Sequence, residues 1–220
     1  MKIEKKQIQN SLEITLSSIP GDKSISHRAI ILGALAENDT EFANFLTSED
    51  CLNTLTIFQQ LGIEINQNNK NIQIKGSGIK GLIEPQTVLD VGNSGTGIRL
   101  ITGVLAGLPF DTTITGDQSI QKRPMKRIIT PLTLMGAKIT GLEVNDNHYP
   151  PLHIKGSQQI SGIDYTLPVA SAQVKSAILL ASLFSHQPTM VIEPEKCRDH
   201  TEKMLAAFGA DIKVEGDKIT

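Results

Sequence analysis

The sequence has 220 residues, of which 39% are hydrophobic and 20% charged, and its formal net charge at pH 7 is −2. This is typical of a globular protein with one large domain or two small ones. The small negative charge and the 4% of aromatic residues argue against a nucleic-acid surface, and the longest apolar run, residues 177–184, is too short to span a bilayer.

The first part of the chain predicts a βαβαββ unit. Alternating apolar and polar residues predict a strand at 12–16, and Pro20-Gly21 separates it from a helix at about 24–36. The remaining predicted elements are a strand near 41–46, a helix at about 49–61, and a hairpin of 62–66 with 71–75.

The rest of the chain repeats this order. The second unit has predicted strands at 88–91, 112–115, 137–142 and 152–155 and helices at 94–106 and 123–135. The third has strands at 164–167 and 189–193 and helices at 171–184 and 199–208. The chain ends at 218–220, within the position of a closing strand, so we expect a protein that continues beyond it.

The three units are imperfect copies of one another. A glycine follows the second helix of each unit. These glycines are Gly62, Gly136 and Gly209, and they are 74 and 73 residues apart. A period of this length indicates a supersecondary unit built three times. When the copies are superimposed, residues 23–27, 93–97 and 171–175 fall at the starts of the three first helices. Because a helix start offers unpaired N–H groups and a positive dipole end, these segments predict one convergent anion site.

The first of these helix starts is basic. Lys23, Ser24, His27 and Arg28 directly follow the Pro-Gly turn. Two cations at a helix N-terminus suit a phosphate, with Arg28 as a bidentate fork and Lys23 as a point charge. The alternative is a solvated helix end capped by Ser24, with both basic groups in water. His27 is expected to pack or to form hydrogen bonds rather than to catalyse.

The second helix start is rich in glycine. Residues 92–97 follow a predicted strand, and Arg99 lies just beyond them. Glycines there let a ligand approach the backbone closely. The spacing is not that of a dinucleotide fingerprint, and a purely structural turn is the alternative. The alignment of this segment with the Lys23 segment favours binding.

Arg123 opens the second helix of the second unit, and Pro124 is expected in the first turn of that helix. There Arg123 is placed either to clamp a carboxylate or to pair with Asp117 at the surface.

Arg198 opens the last helix, where the structural alternative for Asp199 and Thr201 is a simple capping role. Asp199-His200 is similar to part of a catalytic dyad, but the sequence places no nucleophile beside it, so we assign it no role.

Together these segments resemble the enolpyruvyl transferases over essentially the whole chain. Five motifs occur in the order of that family: 20–29 (PGDKSISHRA), 92–99 (GNSGTGIR), 116–125 (GDQSIQKRPM), 171–175 (SAQVK) and 198–202 (RDHTE). The last two are similar to the bacterial class II form of the branch that acts on shikimate 3-phosphate.

The resemblance implies a transferase. The reaction moves the enolpyruvyl group of phosphoenolpyruvate to the 5-hydroxyl of shikimate 3-phosphate and releases phosphate through a tetrahedral intermediate, on the route to chorismate and the aromatic amino acids. The family implies no metal or organic cofactor, no nucleic-acid or membrane partner, and a monomer. The chain's two cysteines lack metal-type spacing, which agrees with a cytoplasmic protein. Glyphosate is the inhibitor associated with the family, and sensitivity to it is left open.

By position, the resemblance also assigns binding residues. Those matched to shikimate 3-phosphate are Lys23, Ser24, Arg28, Ser171, Ala172, Gln173 and Arg198. Those matched to phosphoenolpyruvate are Lys23, Gly95, Arg123 and Gln173. Their task is to bring two anions together in a closed, dry site. The proton-transfer residues belong to the other half of the family's fold, so the isolated chain is expected to be inactive.

The implied fold is an α/β (α+β) inside-out barrel of two similar domains, each with three βαβαββ units, and the active site lies between them. This chain would supply the N-terminal domain, residues 20–220, with repeats at about 20–80, 81–157 and 158–220. Residues 1–19 would pair with the other domain, and the expected partner is the C-terminal half of the same enzyme.

Two alternative functions can be compared with the one that the resemblance implies. A related enzyme that acts on UDP-N-acetylglucosamine has a cysteine where this chain has Gln118, and Lys-Asn where it has Lys23-Ser24, which argues against that substrate. The alternative from another class is a free-standing domain that binds a phosphometabolite without catalysis. Coding sequence beyond Thr220 would separate it from the enzyme.

Overall fold

The computed structural model describes residues 19–156 and 159–220. The helices in these ranges are α1 (Lys23–Leu35), α2 (Glu49–Gln60), α3 (Gly95–Leu105), α4 (Lys126–Leu134), α5 (Ala172–Ser182) and α6 (His200–Ala207). The strands are β1 (Thr40–Phe42), β2 (Ile65–Asn68), β3 (Asn71–Ile74), β4 (Leu89–Asp90), β5 (Thr112–Thr115), β6 (Lys138–Val144), β7 (Asn147–Lys155), β8 (Asp164–Thr166), β9 (Met190–Ile192), β10 (Val214–Glu215) and β11 (Lys218–Ile219). The predicted strand at 12–16 lies outside the described residues, as does the predicted N-terminal region 1–19 apart from Ile19.

The strands form three sheets with related connectivity. The second sheet has the order β4-β5-β7-β6 and the third has the order β8-β9-β11-β10. In both, the first pair of strands is parallel and the other pairs are antiparallel. The described part of the first sheet, β1-β3-β2, repeats the last three positions of this order. The predicted α/β fold of three repeated units is therefore confirmed, whereas the domain and repeat boundaries stay predictions.

The first helix of each unit lies in the interior. In α1 every residue from Ser26 to Leu35 is buried, and in α5 every residue from Val174 to Ala181. A helix that is buried all round must be surrounded by other elements. Helix α3 packs on α5 so closely that a Cβ added to Gly103 would lie 2.4 Å from a carbonyl oxygen of α5. None of the helices in the described ranges is long and apolar enough to cross a membrane.

The sheets lie outside this helical layer. Along β7 the side chains alternate between buried and exposed from Pro150 onward, so Leu152 and Ile154 face the core while His153 faces outward. This alternation is typical of a sheet that is covered on one face. Interior helices and exterior sheets give the inside-out arrangement that the resemblance implied.

The repeated glycines end the second helices in the same way. Gly62, Gly136 and Gly209 have φ angles of 91°, 102° and 87°. In the first unit, the N–H of Ile63 donates to the carbonyl of Phe58 at 3.0 Å, and the same bond recurs after the other two helices. This is the left-handed helix end that glycine adopts with least strain, which explains the 74- and 73-residue spacing.

The beginning of α4 differs from the prediction. Residues Ile120–Lys122 form a 3₁₀ turn, and Arg123 is extended, with φ −90° and ψ 127°. A residue before proline is disfavoured in the helical region, because the proline ring clashes with it. The helix therefore begins at Lys126, and the prediction that Pro124 lies in its first turn is wrong.

Two strands differ from the prediction. Strand β7 begins at Asn147 rather than at 152, and its hairpin with β6 turns at Asn145-Asp146, where φ is 50° and 60°. Positive φ at both central residues matches the right-handed twist of the paired strands. Strand β10 was not predicted, and it pairs with the predicted closing strand β11.

Candidate active site

The starts of α1, α3 and α5 meet around one surface depression of about 390 Å³. Its lining includes the four residues that the resemblance assigned to phosphoenolpyruvate: Lys23, Gly95, Arg123 and Gln173. Asp50, Asn93 and Thr96 complete the lining. The predicted meeting of three helix starts is therefore present, and the binding of an anion there stays a prediction.

Two cations and one carboxylate face the depression. Nζ of Lys23 lies 3.0 Å from Oδ2 of Asp50, and the Lys23 side chain is 50% exposed. Nη2 of Arg123 donates to Oδ1 of Asn93 at 3.1 Å, which holds the guanidinium across the start of α3. Because these groups carry a net positive charge and both cations reach solvent, the depression favours an anion.

Asp117 is not the partner of Arg123. Its Oδ1 accepts the backbone N–H groups of Ser119 and Ile120, each at 2.9 Å, and so stabilises the 3₁₀ turn before Arg123. The alternative of a surface Arg123–Asp117 pair is wrong, and the guanidinium is left facing the depression.

Gly95 makes room for Arg123. A Cβ on Gly95 would lie 2.4 Å from Nη1 of Arg123 and 3.1 Å from Nη1 of Arg99. The first separation is far shorter than any ordinary contact, so even an alanine would displace the Arg123 guanidinium. The absence of a side chain at Gly95 therefore lets the Arg123 guanidinium lie against the start of α3.

Serines cap both neighbouring helices. Ser94 Oγ accepts the N–H of Gly97 at 2.9 Å at the start of α3, and Ser171 Oγ accepts an N–H three residues later at 3.4 Å at the start of α5. Between the two helices, Nε2 of Gln173 donates to Oγ1 of Thr96 at 3.1 Å. This bond holds the amide of Gln173 at the edge of the depression.

Arg28 lies below this surface. It is buried, and its three nitrogens donate to Oγ1 of Thr201 (2.6 Å), the carbonyl of Ser24 (2.9 Å) and Oγ of Ser176 (2.7 Å). Burial lowers the pKa of Arg28 to about 10, against the opposing attraction of Glu202, so the guanidinium stays charged at neutral pH. Direct contact between Arg28 and a ligand stays a prediction.

Ser24 lies between two arginines. Besides accepting from Arg28 through its carbonyl, it accepts from Nη1 of Arg198 at Oγ, at 3.3 Å. The residue that caps α1 is Asp22, whose Oδ1 accepts the N–H of Ile25 at 2.8 Å. The alternative of a Ser24 cap with both basic groups in water is therefore wrong for Ser24 and Arg28. Ala172 is half-buried at the first position of α5, next to Ser171.

His27 is a structural residue. It is fully buried, with Nδ1 2.7 Å from Oγ1 of Thr54 and Nε2 3.3 Å from Oγ of Ser94. Burial lowers its pKa to about 4, so the ring is neutral at physiological pH. It joins α1 to α2 and to the cap of α3, which agrees with the expected packing or hydrogen-bonding role.

The capping alternative at α6 holds only for the position of Asp199, which is the N-cap residue but makes no side-chain cap bond. The carboxylate of Asp199 makes no cap hydrogen bond and instead lies 2.8 Å from Nζ of Lys203. Thr201 is buried, and its hydroxyl contacts Arg28 and Ser176. Both side chains have partners that a local capping rule does not consider.

Several residues of this region were missed from sequence. Asn93 and Thr96 lie within the glycine-rich motif, so their position gave a signal, whereas Asp50 and Ser176 lie in no motif that was singled out for binding. Within the two described ranges, no group of three or more His, Cys, Asp or Glu residues is arranged to hold a metal ion.

The comparisons with known proteins all indicate the same family. The family model for EPSP synthase (3-phosphoshikimate 1-carboxyvinyltransferase) matches residues 6–220. The chain is 56% identical over 203 residues to 3-phosphoshikimate 1-carboxyvinyltransferase of Bacillus cytotoxicus, covering 92% of this chain and 47% of that protein. It is 51% identical over 201 residues to the protein of the same name from Enterococcus faecalis, covering 91% and 47%.

A solved structure agrees with these sequences. The fold superimposes on EPSP synthase from Acinetobacter baumannii with a TM-score of 0.88 and 51% identity, covering 92% of this chain and 45% of that one. The chain thus spans about half the length of the curated relatives and of the solved structure that it matches.

Proposed function

Because the chain belongs to the EPSP synthase family, we propose that it is the N-terminal half of an enzyme that transfers the enolpyruvyl group of phosphoenolpyruvate to the 5-hydroxyl of shikimate 3-phosphate. The observation that carries this proposal is the single depression lined by Lys23, Gly95, Arg123 and Gln173. In this function the enzyme would be a cytoplasmic monomer that needs no metal or cofactor, completed by its own C-terminal half.

Phosphoenolpyruvate would occupy the depression. Its phosphate and carboxylate suit one ammonium and one guanidinium, because Lys23 acts as a point charge and Arg123 offers a planar fork. The side chain of Gly95 is a hydrogen, which lets the ligand approach the backbone at the start of α3. Binding of the ligand would replace Asp50 as the partner of Lys23.

Shikimate 3-phosphate would lie beside it, against Lys23, which would contact both substrates, and against Ser24, Ser171, Ala172, Gln173 and Arg198. The bond between Arg198 and Ser24 brings a guanidinium from the third unit to the first helix start, where it suits a phosphate. Arg28 would support this surface through the Ser24 carbonyl. Gln173, which lines the depression, would contact both substrates.

The chemistry divides between this chain and its complement. Attack by the 5-hydroxyl on phosphoenolpyruvate, and the later loss of phosphate, both require proton transfer, which needs a group within hydrogen-bond reach. The residues assigned here bind anions, hold them in contact and stabilise negative charge. Proton transfer and the exclusion of water are the tasks of the other half.

Shikimate 3-phosphate is expected to bind the 220-residue chain weakly, because one wall of the site is missing and each lost charge-assisted contact costs about 2 kcal/mol. Titration to millimolar ligand should shift the amide NMR signals of residues 23–28 and 171–173. Lys23→Gln should weaken this response, whereas Lys138→Gln, which removes an exposed lysine of β6, should leave it unchanged. No response, or shifts confined to other segments, would overturn the proposed function.

Gly95→Ala is expected to affect a bulky inhibitor more than the substrate. In a full-length enzyme that contains this chain, the added methyl would displace Arg123 and narrow the phosphoenolpyruvate position. The inhibition constant for glyphosate should rise about tenfold more than the Michaelis constant for phosphoenolpyruvate.

The matched control for this experiment is Gly209→Ala. It adds the same methyl where nothing lies within 4 Å, at a residue that does not line the depression. The substitution should lower the stability, because Gly209 has a positive φ. The ratio of the inhibition constant for glyphosate to the Michaelis constant for phosphoenolpyruvate should stay as in the wild type. Equal changes of both constants in Gly95→Ala would contradict the placement of Gly95 against phosphoenolpyruvate.

A further inference from the structure

Three charged residues form a buried cluster behind the candidate site. Lys175 of α5 is 0% exposed, and its Nζ lies 2.8 Å from Oε1 of Glu193 and also contacts Oε1 of Glu202. Both carboxylates are themselves buried. Lys175 belongs to the SAQVK motif and Glu202 to the RDHTE motif, yet neither residue faces the depression.

The two carboxylates lie at the two ends of one segment. Glu193 directly follows β9, and its Oε1 also accepts the backbone N–H of Cys197 at 3.2 Å. Glu202 is in the first turn of α6. Between them is Arg198, so one ammonium holds both ends of the segment that carries this arginine.

The same segment reaches the candidate site at two points. Arg198 donates to Oγ of Ser24, and Thr201, which precedes Glu202, accepts from Nε of Arg28 at 2.6 Å. Arg28 in turn donates to the Ser24 carbonyl. A displacement of the segment would therefore move both arginines relative to Ser24.

Stability alone is a weak reason for such a cluster. Removing charges from water is costly, and a buried ion pair is often no more stabilising than apolar residues of the same volume. Burial by itself lowers the pKa of Lys175, but its close ion pairs with Glu193 and Glu202 outweigh burial and raise the pKa. The ammonium therefore stays charged between the two carboxylates. These contacts fix the two ends of the segment relative to α5.

We propose that Lys175 is a positioning residue: through Glu193 and Glu202 it fixes the segment 193–202 so that Arg198 lies beside Ser24, ready for the phosphate of shikimate 3-phosphate. The ligand part of this inference rests on the proposed function. The placement of the segment does not, since it is a property of the free chain.

The test needs a variant that removes the charges without leaving one unpaired. Replacing Lys175 alone would leave two buried carboxylates together, and the chain would be at risk of unfolding. The combined variant Lys175→Met, Glu193→Gln, Glu202→Gln preserves approximate volume and removes all three charges. Lys203→Gln is the matched control, because it removes an exposed ion pair from the same helix.

The first measurement uses the free chain. Amide hydrogen exchange of Cys197 should be at least about tenfold faster in the combined variant than in the wild type, because the hydrogen bond to a charged acceptor is stronger than one to an amide. In the combined variant, exchange in α3 should be the same as in the wild type. In Lys203→Gln, exchange should be the same as in the wild type throughout the chain. Unaltered exchange at Cys197 in the combined variant would overturn the inference.

The second measurement uses shikimate 3-phosphate with NMR detection, and shikimate as the probe without phosphate. The combined variant should lose about tenfold in affinity for the phosphorylated ligand, with no loss for shikimate. When Arg198→Gln is added to the combined variant, the affinity for shikimate 3-phosphate should be only slightly lower than in Arg198→Gln alone. The losses should not add, because both changes act on the same contact. Additive losses would show that Lys175 does not act through Arg198.

The two measurements separate the inference from the proposed function. If the wild-type chain binds no shikimate 3-phosphate while Cys197 exchange responds as expected, the proposed function fails and the fixing of the segment stands. If the ligand binds and exchange does not respond, the positioning role of Lys175 fails alone.

Discussion

The 220-residue chain by itself is expected to unfold cooperatively and to release no detectable phosphate from shikimate 3-phosphate and phosphoenolpyruvate. Cooperative unfolding follows from one continuous core, which includes buried residues of all three units. Turnover is absent because the only carboxylate that lines the depression among the described residues, Asp50, is paired with Lys23, and because an open surface admits water. Urea denaturation and a phosphate-release assay measure the two properties.

Complementation provides the control for this experiment. The C-terminal half of a relative such as the Bacillus cytotoxicus protein, expressed separately and added in excess, should restore some turnover if the halves dock. Ligand binding without any restored turnover would favour the free-standing binding domain. Full activity of the chain alone, prepared from a host that lacks its own enzyme, would contradict the division of the site and require a proton-transfer group among residues 1–220.

Acid is expected to destabilise the wild-type chain more than a His27→Gln variant, by about 3 kcal/mol between neutral pH and pH 4. The folded-state pKa of His27 is about 4, compared with its ordinary value of 6.5. Between these values the unfolded chain binds a proton that the folded chain excludes. The free energy of unfolding therefore falls as pH decreases from 6.5 to about 4, and this contribution is fully present above 6.5.

Urea denaturation at neutral pH, at about pH 5.5 and at about pH 4 measures this difference. At neutral pH the variant should be less stable by about 1 kcal/mol, since glutamine keeps only part of the bonding to Thr54 and Ser94. The stability gap should close and then reverse as the pH falls. His186→Gln, which changes an exposed histidine, is the matched control. A gap that stays constant with pH would mean that His27 does not titrate on unfolding.

Local patterns were sufficient for most of the secondary structure. Apolar periodicity and Gly/Pro punctuation located the six helices of the described residues, because these signals act within a few residues of the chain. The glycine after each second helix was recognisable because its positive φ is a local requirement that few other residues meet. One error arose where two local signals competed, at Arg123-Pro124.

Local capping rules failed for a different reason. Ser24 and Thr201 are residue types that cap helices, and both were given that alternative from sequence. In the folded chain Thr201 contacts Arg28, which is 173 residues earlier, and Ser24 accepts from Arg198, which is 174 residues later. A capping preference of about 1 kcal/mol is easily outweighed by a hydrogen bond to a guanidinium, and sequence spacing does not report such partners.

The sequence by itself determined the repeat, the α/β class, the family and the segments from which the candidate site is built. It could do so because the repeat places chemically similar residues at equivalent helix starts. Only the tertiary structure decided which of these residues face one depression and which lie beneath it. Packing of α3 on α5 brings Gln173 to Thr96, while Arg28, His27 and Lys175 are buried and support that surface from beneath. Burial and long-range hydrogen bonding depend on all three units together, so no single motif contains them.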